Sequence, residues 1–293
     1  MHRSGFVNII GNPNVGKSTL MNVLVGEKLS IITSKAQTTR HRIMGIVSGE
    51  DFQIVYSDTP GILKPSYKLQ ESMMKFVTGA LTDADVILYV TDTVEQSERS
   101  AEIVDSIRRS GIPTVVVINK IDLSTPEALE ALVDKWQAEI PGAQVVPTSA
   151  KENFNIEGLF RTILSLLPEG PAFYPKDTLT DKTLRFFASE IIREKILKFY
   201  DKEIPYCCEI EIESYKEEPT IDRIAATIYV ARDSQKGILI GHKGEKLKRV
   251  GQTAREDMEQ FLGKKVFLQL FVKVSDDWRN NERQLRRFGY EQE

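Results

Sequence analysis

Gly11-Asn12-Pro13-Asn14-Val15-Gly16-Lys17-Ser18 follows directly on the apolar run Phe6-Val7-Asn8-Ile9-Ile10 and opens onto a helical stretch from Thr19 to Val25. The octet fits the pattern GxxxxGK followed by Ser or Thr, in the strand-then-helix context that gives the pattern its chemistry. Glycines let peptide N–H groups close around phosphates, and the helix turns its positive dipole end toward them. Lys17 can then reach the β- and γ-phosphates of a nucleotide, and Ser18 offers a hydroxyl to Mg²⁺. A Gly-rich turn without function is the alternative, and the rest of the chain decides between the two.

Three further strings stand at the ends of apolar runs. Asp58-Thr59-Pro60-Gly61, followed by Ile62, closes Ile54-Val55-Tyr56. Asp58 there can hold Mg²⁺ through a water, and the Gly61 N–H can sense the γ-phosphate. Asn119-Lys120-Ile121-Asp122 follows Val115-Val116-Val117-Ile118. The Asp122 carboxylate can accept from guanine N1–H and N2–H₂, donors that adenine lacks, and a site built for them rejects the analogue by a large factor. Ser149-Ala150-Lys151, after the run at 144–147, can add a backbone N–H to guanine O6. Each string is common by chance, but in this order, each at a strand's end, they specify a GTP site. Within residues 28–45, Thr39 rather than Thr38 is expected to close onto Mg²⁺ and the γ-phosphate as the first switch. The metal set is then Ser18, Thr39 and Asp58. Loss of the γ-phosphate should release this segment together with the Leu63–Gly79 region.

The same rhythm of runs sets the fold class. Candidate strands at 6–10, 42–48, 52–57, 86–91, 114–118 and 144–147 are separated by helix-length segments. That spacing predicts an α/β P-loop domain over 1–170, a mostly parallel sheet with helices on both faces. Leu167-Pro168-Glu169-Gly170-Pro171 and Pro175 break the last helix, so 171–181 reads as a linker. Beyond it, Leu184, Phe187, Ala188, Ile191, Ile192, Ile196 and Phe199 recur at helical spacing. Tyr206 to Glu213 alternates as a half-buried strand, which would point Cys207 and Cys208 to opposite faces. Strands near 222–231 and 265–274 flank a short helix, a Gly-rich turn and a helix near 245–261. The order α-β-β-α-α-β marks 182–293 as a second, α+β domain.

At 293 residues the chain has room for both domains, and 41% hydrophobic with 28% charged residues is the balance of a folded, soluble protein. No apolar run approaches the roughly 20 residues that span a bilayer. The N-terminus enters its first strand without room for a signal peptide. Two cysteines exclude a disulfide framework, and three scattered histidines give no zinc spacing. The expectation is a cytosolic protein. Net charge is −3, divided as 16 Lys and Arg against 20 Asp and Glu in 1–173, and 23 against 22 in 174–293. Between Lys236 and Arg249, however, five basic residues face one acid, and phosphate binding depends on such local clustering.

That cluster surrounds Gly241-His242-Lys243-Gly244, a GxxG loop between two helical segments. In a KH domain such a loop brings peptide N–H groups against the phosphates of about four nucleotides of single strand. A helix-turn-helix corner is the default for a lone GxxG; the α-β-β-α-α-β order, the type II arrangement, favours KH. The expected contacts are Ile238, Ile240, Gly241, His242, Lys243, Gly244, Lys246, Lys248 and Arg249, with Ile238, Ile240 and the domain's second strand forming the groove for bases. The residues do not choose RNA over DNA. Trp278 to Arg287 is expected to be one helix, whose Arg279, Arg283, Arg286 and Arg287 are either a further RNA-facing surface or a solvated face.

The P-loop, Gln37-Thr38-Thr39-Arg40-His41-Arg42, Asp-Thr-Pro-Gly and the GxxG half together resemble the Era family, bacterial GTPases with an appended KH domain in the Era/TrmE-like, translation-factor-like branch. The resemblance runs from about Gly5 to Tyr290. It implies a GTP-hydrolysing switch that binds single-stranded RNA near the 3′ end of 16S rRNA and assists maturation of the small (30S) ribosomal subunit. A monomer is expected, with peripheral contact at the inner face of the cell membrane, although no strongly amphipathic basic helix is present to anchor it. One departure from Ras-like enzymes matters: Ile62 stands where the water-orienting Gln would be. Slow intrinsic hydrolysis, a group from a partner, and a monovalent cation all remain open. In related K⁺-dependent GTPases the P-loop Asn matching Asn14 helps to hold K⁺. The catalytic set is therefore Asn14, Lys17, Thr39, Asp58 and Gly61. The rival reading is an RNA-binding protein or chaperone whose GTP site only senses nucleotide. Ile62 favours it; the intact Lys17, Ser18, Asp58 and Asp122 oppose it.

Overall fold

The six apolar runs of the first part pair into one sheet: β1 (Arg3–Gly11), β2 (Ile43–Ser48), β3 (Phe52–Asp58), β4 (Val86–Asp92), β5 (Thr114–Asn119) and β6 (Gln144–Pro147). Their spatial order is β2-β3-β1-β4-β5-β6, and only β2 runs antiparallel. Every residue of β4 and β5 is buried, as continuous apolar strands covered on both faces require. The helices are α1 (Lys17–Val25), α2 (Lys68–Thr82), α3 (Ala101–Ser110), α4 (Pro126–Glu139) and α5 (Ile156–Leu166). The computed structural model describes residues 2–94 and 101–290. By its contacts the chain divides into two units, Met1–Pro65 with Met73–Asp181, and Ser66–Ser72 with Lys182–Glu293. The first unit is the expected P-loop architecture. Because β3 lies on one side of β1 and β4 on the other, the carboxyl end of β1 is where such sheets open a ligand crevice.

Residues 171–181, expected as a linker, are hydrogen-bonded to the first unit. Ile46 N–H donates to Leu179 O (2.8 Å), Thr180 Oγ1 to Met44 O (2.6 Å), and Met44 N–H to Asp181 Oδ1 (3.0 Å). The fully buried Gln53 amide accepts from Phe173 N–H and Tyr174 N–H, and donates to Tyr174 O and Ser48 Oγ. The open edge of β2 is thereby covered, which removes a site for unwanted strand pairing.

The second unit comprises α6 (Leu184–Phe199), α7 (Ile204–Cys207), β7 (Glu209–Glu217), β8 (Ile221–Val230), α8 (Asp233–Ile240), α9 (Glu245–Leu262), β9 (Lys265–Val274) and α10 (Glu282–Arg287). The sheet order is β7-β8-β9, antiparallel then parallel, and α6 and α9 pack over one core with it. This is the expected KH fold with one added helical turn.

Two expectations are corrected here. The alternation at 206–213 does not begin a strand: Pro205, in the first turn of α7, fits a helical turn and removes a ladder donor. Cys207 and Cys208 therefore do not point to opposite faces; both are fully buried in the same core. Nor is 278–287 one helix. Trp278–Asn280 is a separate 3₁₀ turn, its indole buried and donating to Cys207 O (2.9 Å), and Asn281 caps α10 by accepting from Gln284 N–H. Of the four arginines there, Arg287 is committed to the Glu211 carboxylate.

Candidate functional site

β1 ends at Gly11, and the loop that follows turns through Asn14 and Gly16, both in left-handed conformation (φ 66° and 97°). A Cβ on Gly16 would collide with the Asn119 side chain, so glycine is required where the two loops meet. Asn119 donates to Val15 O (2.9 Å) and accepts from Ala150 N–H (2.9 Å), tying three of the expected strings together. Lys17 is 6% exposed and folds back across the loop, its ammonium on Gly11 O (2.9 Å) and Asn12 O (2.8 Å). Those carbonyls hold the charge at the loop's mouth.

At the start of α1, Ser18 Oγ donates to Asp58 Oδ2 (2.7 Å) and lies 2.8 Å from Thr39 Oγ1, which is 3.4 Å from the same carboxylate oxygen. Asp58 is fully buried, and its Oδ1 has no hydrogen-bond partner. Burial pushes the carboxyl above its usual range, opposed by the Ser18 hydrogen bond, the Lys17 charge and the nearby Ser30 and Thr39 hydroxyls. A buried carboxylate with an idle oxygen beside two hydroxyls is an oxygen-donor set suited to Mg²⁺. The neighbouring Thr38 is turned elsewhere, onto Thr33 Oγ1 and Lys35 O (both 2.6 Å).

A cleft of about 380 Å³ opens between this loop, the 31–39 segment, Gly61 and Lys120. Gly61 packs on Pro13, where a Cβ would come within 2.8 Å of its backbone. Thr59 donates to Ile9 O (2.7 Å), and Thr59 and Pro60 are buried supports for the loop. Ile62, expected among the nucleotide contacts, is instead a core residue packed with Ile10, Val77 and Ala80. Only its N–H, donating to Gly11 O (3.1 Å), meets the loop. At the other end Lys120 reaches Asn14 O (2.5 Å) and Asp92 Oδ2 (2.6 Å). The Asp122 side chain is exposed and its Oδ1 accepts from Ser149 Oγ (2.6 Å). Ile121 is half-buried in the turn between them, and Lys151 is exposed.

Sequence reasoning missed Asp92, whose signal was an acid at a strand's carboxyl end, and two anchors that bound the segment expected as the first switch. Asn22 accepts from Leu29 N–H and Ser30 N–H and donates to Ser30 O. Arg42 forks onto Asp83 (2.6 and 3.0 Å) and donates to Ser57 Oγ and Asn8 Oδ1. Between these anchors lie residues 31–41 of the 28–45 segment.

In the second unit, α8 ends at Gly241 (φ 74°) and α9 starts after Gly244 (φ 79°), with Lys243 also left-handed (φ 48°). His242 and Lys243 project into solvent, Ile238 is 43% exposed and Ile240 half-buried. Beside the loop runs a groove of about 560 Å³ lined by Gly244, Leu247, Lys248, Gly251, Gln252 and Arg255, and closed by Leu268 and Leu270 of β9. The expected second strand, β8, does not form it, because β8 is central and both its edges are paired. Of the three basic residues expected on α9, only Lys248 lies in this groove. Lys246 and Arg249 face the opposite flank, with Lys246 Nζ 5.8 Å above the Tyr200 ring and the Arg249 guanidinium 4.3 Å above Phe199.

Comparison with known proteins finds relatives for both parts of the chain. A family described as 50S ribosome-binding GTPase matches residues 6–120, and a KH domain family matches 203–279. The chain is 45% identical to GTPase Era of Staphylococcus haemolyticus over 291 residues, covering 99% of this chain and 97% of that one. It is also 45% identical to GTPase Era of Alkaliphilus metalliredigens over 293 residues, covering 99% of each. Among solved structures, Era in complex with MgGDPNP and nucleotides 1506–1542 of 16S ribosomal RNA superposes with a TM-score of 0.96 at 40% identity, covering 100% of both chains. A single-substitution variant of Aquifex aeolicus Era bound to GDP and AlF₄⁻ gives 0.95 at 40% identity, covering 99% of this chain and 100% of that one.

Proposed function

Because this chain belongs to the Era family of GTPases, we propose that it is a GTP-hydrolysing switch that grips the 3′ region of 16S rRNA and serves maturation of the 30S subunit. The observation that carries the switch is the buried Asp58 carboxylate, idle at Oδ1, facing Ser18 and Thr39. Thr39 comes from the segment between the two anchors and already meets Ser18 and Asp58, so it stands where Mg²⁺ and the γ-phosphate would hold that segment in place. Lys17, released from two carbonyls, turns to the β- and γ-phosphates, and the peptide N–H groups of 11–18 surround them. Asp122 accepts from guanine N1–H and N2–H₂, and the Ser149–Lys151 loop offers a backbone N–H to O6. Mg²⁺ held by Ser18, Thr39 and, through water, Asp58 supplies charge neutralisation on the phosphate oxygens.

Ile62 has its side chain in the core and leaves the attacking water without a side-chain partner at that position. Asn14 is exposed at the cleft with its carbonyl fixed by Lys120, and would be the residue to hold a K⁺ ion, which would supply positive charge toward the transferring phosphate. Single-turnover hydrolysis, with and without rRNA, in K⁺ and in Na⁺ buffer, tests both parts. Faster phosphate release in K⁺ is expected. Equal rates in the two buffers would remove the cation, and no release under any condition would leave a nucleotide sensor.

The RNA part of the reading rests on the exposed GxxG loop and on the relative crystallised with 16S nucleotides. We place the protein in the cytosol as a monomer, with peripheral contact at the inner membrane face. No helix among the described residues is long and apolar enough to cross a membrane. A flotation assay that left the protein at the bottom of a gradient with anionic liposomes would remove the membrane contact.

A further inference from the structure

α9 divides its cations between two flanks, and only one flank is the groove. On the other, Arg249 is stacked on Phe199 and Lys246 lies over Tyr200, the last residue of α6 and the one after it. The Lys246 stem also crosses Gly241: a Cβ there would fall 2.7 Å from Lys246 Cγ and 2.9 Å from its Cβ. At Gly244 a Cβ would meet nothing within 4 Å. Gly241 is thus required by Lys246 as well as by its own φ. The Tyr200 hydroxyl in turn donates to Leu239 O (2.6 Å), two residues before the loop. Gly241, Lys246, Tyr200 and Leu239 form one packed series.

We propose that Phe199 and Tyr200 are positioning residues for a second phosphate-binding edge beside the GxxG loop, formed by Lys246 and Arg249 on the flank of α9 away from β9. The ligand class is the phosphodiester backbone of single-stranded RNA, and the proposal rests on the reading of the loop as an RNA clamp. A guanidinium stacked on a ring keeps its in-plane N–H fork open, and that fork matches two phosphate oxygens. Stacking also restricts the rotamers of a long side chain before the ligand arrives, which lowers the entropic cost of engaging it. The strand's backbone then follows the Lys246–Arg249 flank, while its bases enter the groove between Leu247 and Leu270.

The test is binding of a labelled RNA spanning 16S nucleotides 1506–1542 to the full chain across a salt series. Arg249→Ala should flatten the slope of log Kd against log salt by about one, the loss of one phosphate contact. Phe199→Leu, which keeps apolar volume but removes the ring face, should weaken binding about fivefold and move the slope the same way, with Phe199→Trp restoring both. Arg249→Lys keeps the charge at an exposed position without disturbing the core, and should lose affinity; Lys248→Arg should not. Unchanged affinity and slope in Phe199→Leu and Arg249→Lys, while Gly241→Asp with Gly244→Asp abolishes binding, would overturn the second edge and leave the clamp standing. Absence of binding by the unaltered protein would overturn the clamp itself.

Discussion

Ser18 Oγ donates to Asp58 Oδ2 at 2.7 Å, joining the first turn of α1 to the end of β3 through a fully buried carboxylate. Ser18 and, more distantly, Thr39 share Asp58 Oδ2 and leave Oδ1 idle, so the corner is arranged for a ligand that brings positive charge. Burial raises the Asp58 pKa in the folded, ligand-free protein. A raised carboxyl favours the protonated form in the fold. Its stabilising contribution is complete below the unfolded value of about 3.9 and is lost as pH rises through the folded value.

Asp58→Asn should therefore stabilise the ligand-free protein at neutral pH, with the gain vanishing toward acid. Melting curves without Mg²⁺, recorded from pH 4 to 8, measure this. The same variant should lose Mg²⁺-supported GTP hydrolysis by about two orders of magnitude or more, since the metal corner loses its charge. A variant less stable than the parent at pH 7 would show that the carboxylate is not penalised by burial.

Asp122→Asn should exchange base specificity. An amide accepts from N1–H but presents a donor where guanine N2–H₂ also donates, whereas xanthine has a carbonyl at that position. Losing one charge-assisted bond and facing two donors should weaken GTP by about two to three orders of magnitude, and XTP should gain. Competition of the two nucleotides against a fluorescent analogue checks the inversion.

Gln53→Ala should destabilise the first unit by about 2–4 kcal/mol, because it leaves two peptide N–H groups and a carbonyl at Phe173–Tyr174 without their buried partner. Urea denaturation gives the magnitude. Hydrogen exchange gives the location: protection should fall over residues 173–181 and not within β4 or β5.

Much of this architecture is readable from order and spacing, for a physical reason. The P-loop, Asp58, Asn119 and Ser149 all stand at strand carboxyl ends, and a parallel sheet brings such ends to one side. Proximity in sequence misled at Ile62, which follows a site glycine but turns its side chain into the core among Ile10, Val77 and Ala80. At Cys207 an alternating pattern was outweighed by Pro205, whose fixed φ suits a helical turn. Strand order within a sheet is a non-local property, so the sequence does not show that the groove beside the GxxG loop is closed by β9, last in sequence and one of the sheet's two edges. Gln53 carried no signal at all, since its role depends on a segment 120 residues away.

The central claim is that GTP and RNA are bound by one switch, and it predicts linkage between them. The most direct measurement is titration of labelled 16S 3′-end RNA with protein loaded with GDP or with GDPNP. Binding about fivefold or more tighter in the GDPNP state, lost on changing Gly241 and Gly244 to Asp, is the expected result. Equal affinity in the two states would contradict it, leaving a GTPase and an RNA clamp that share a chain without sharing a switch.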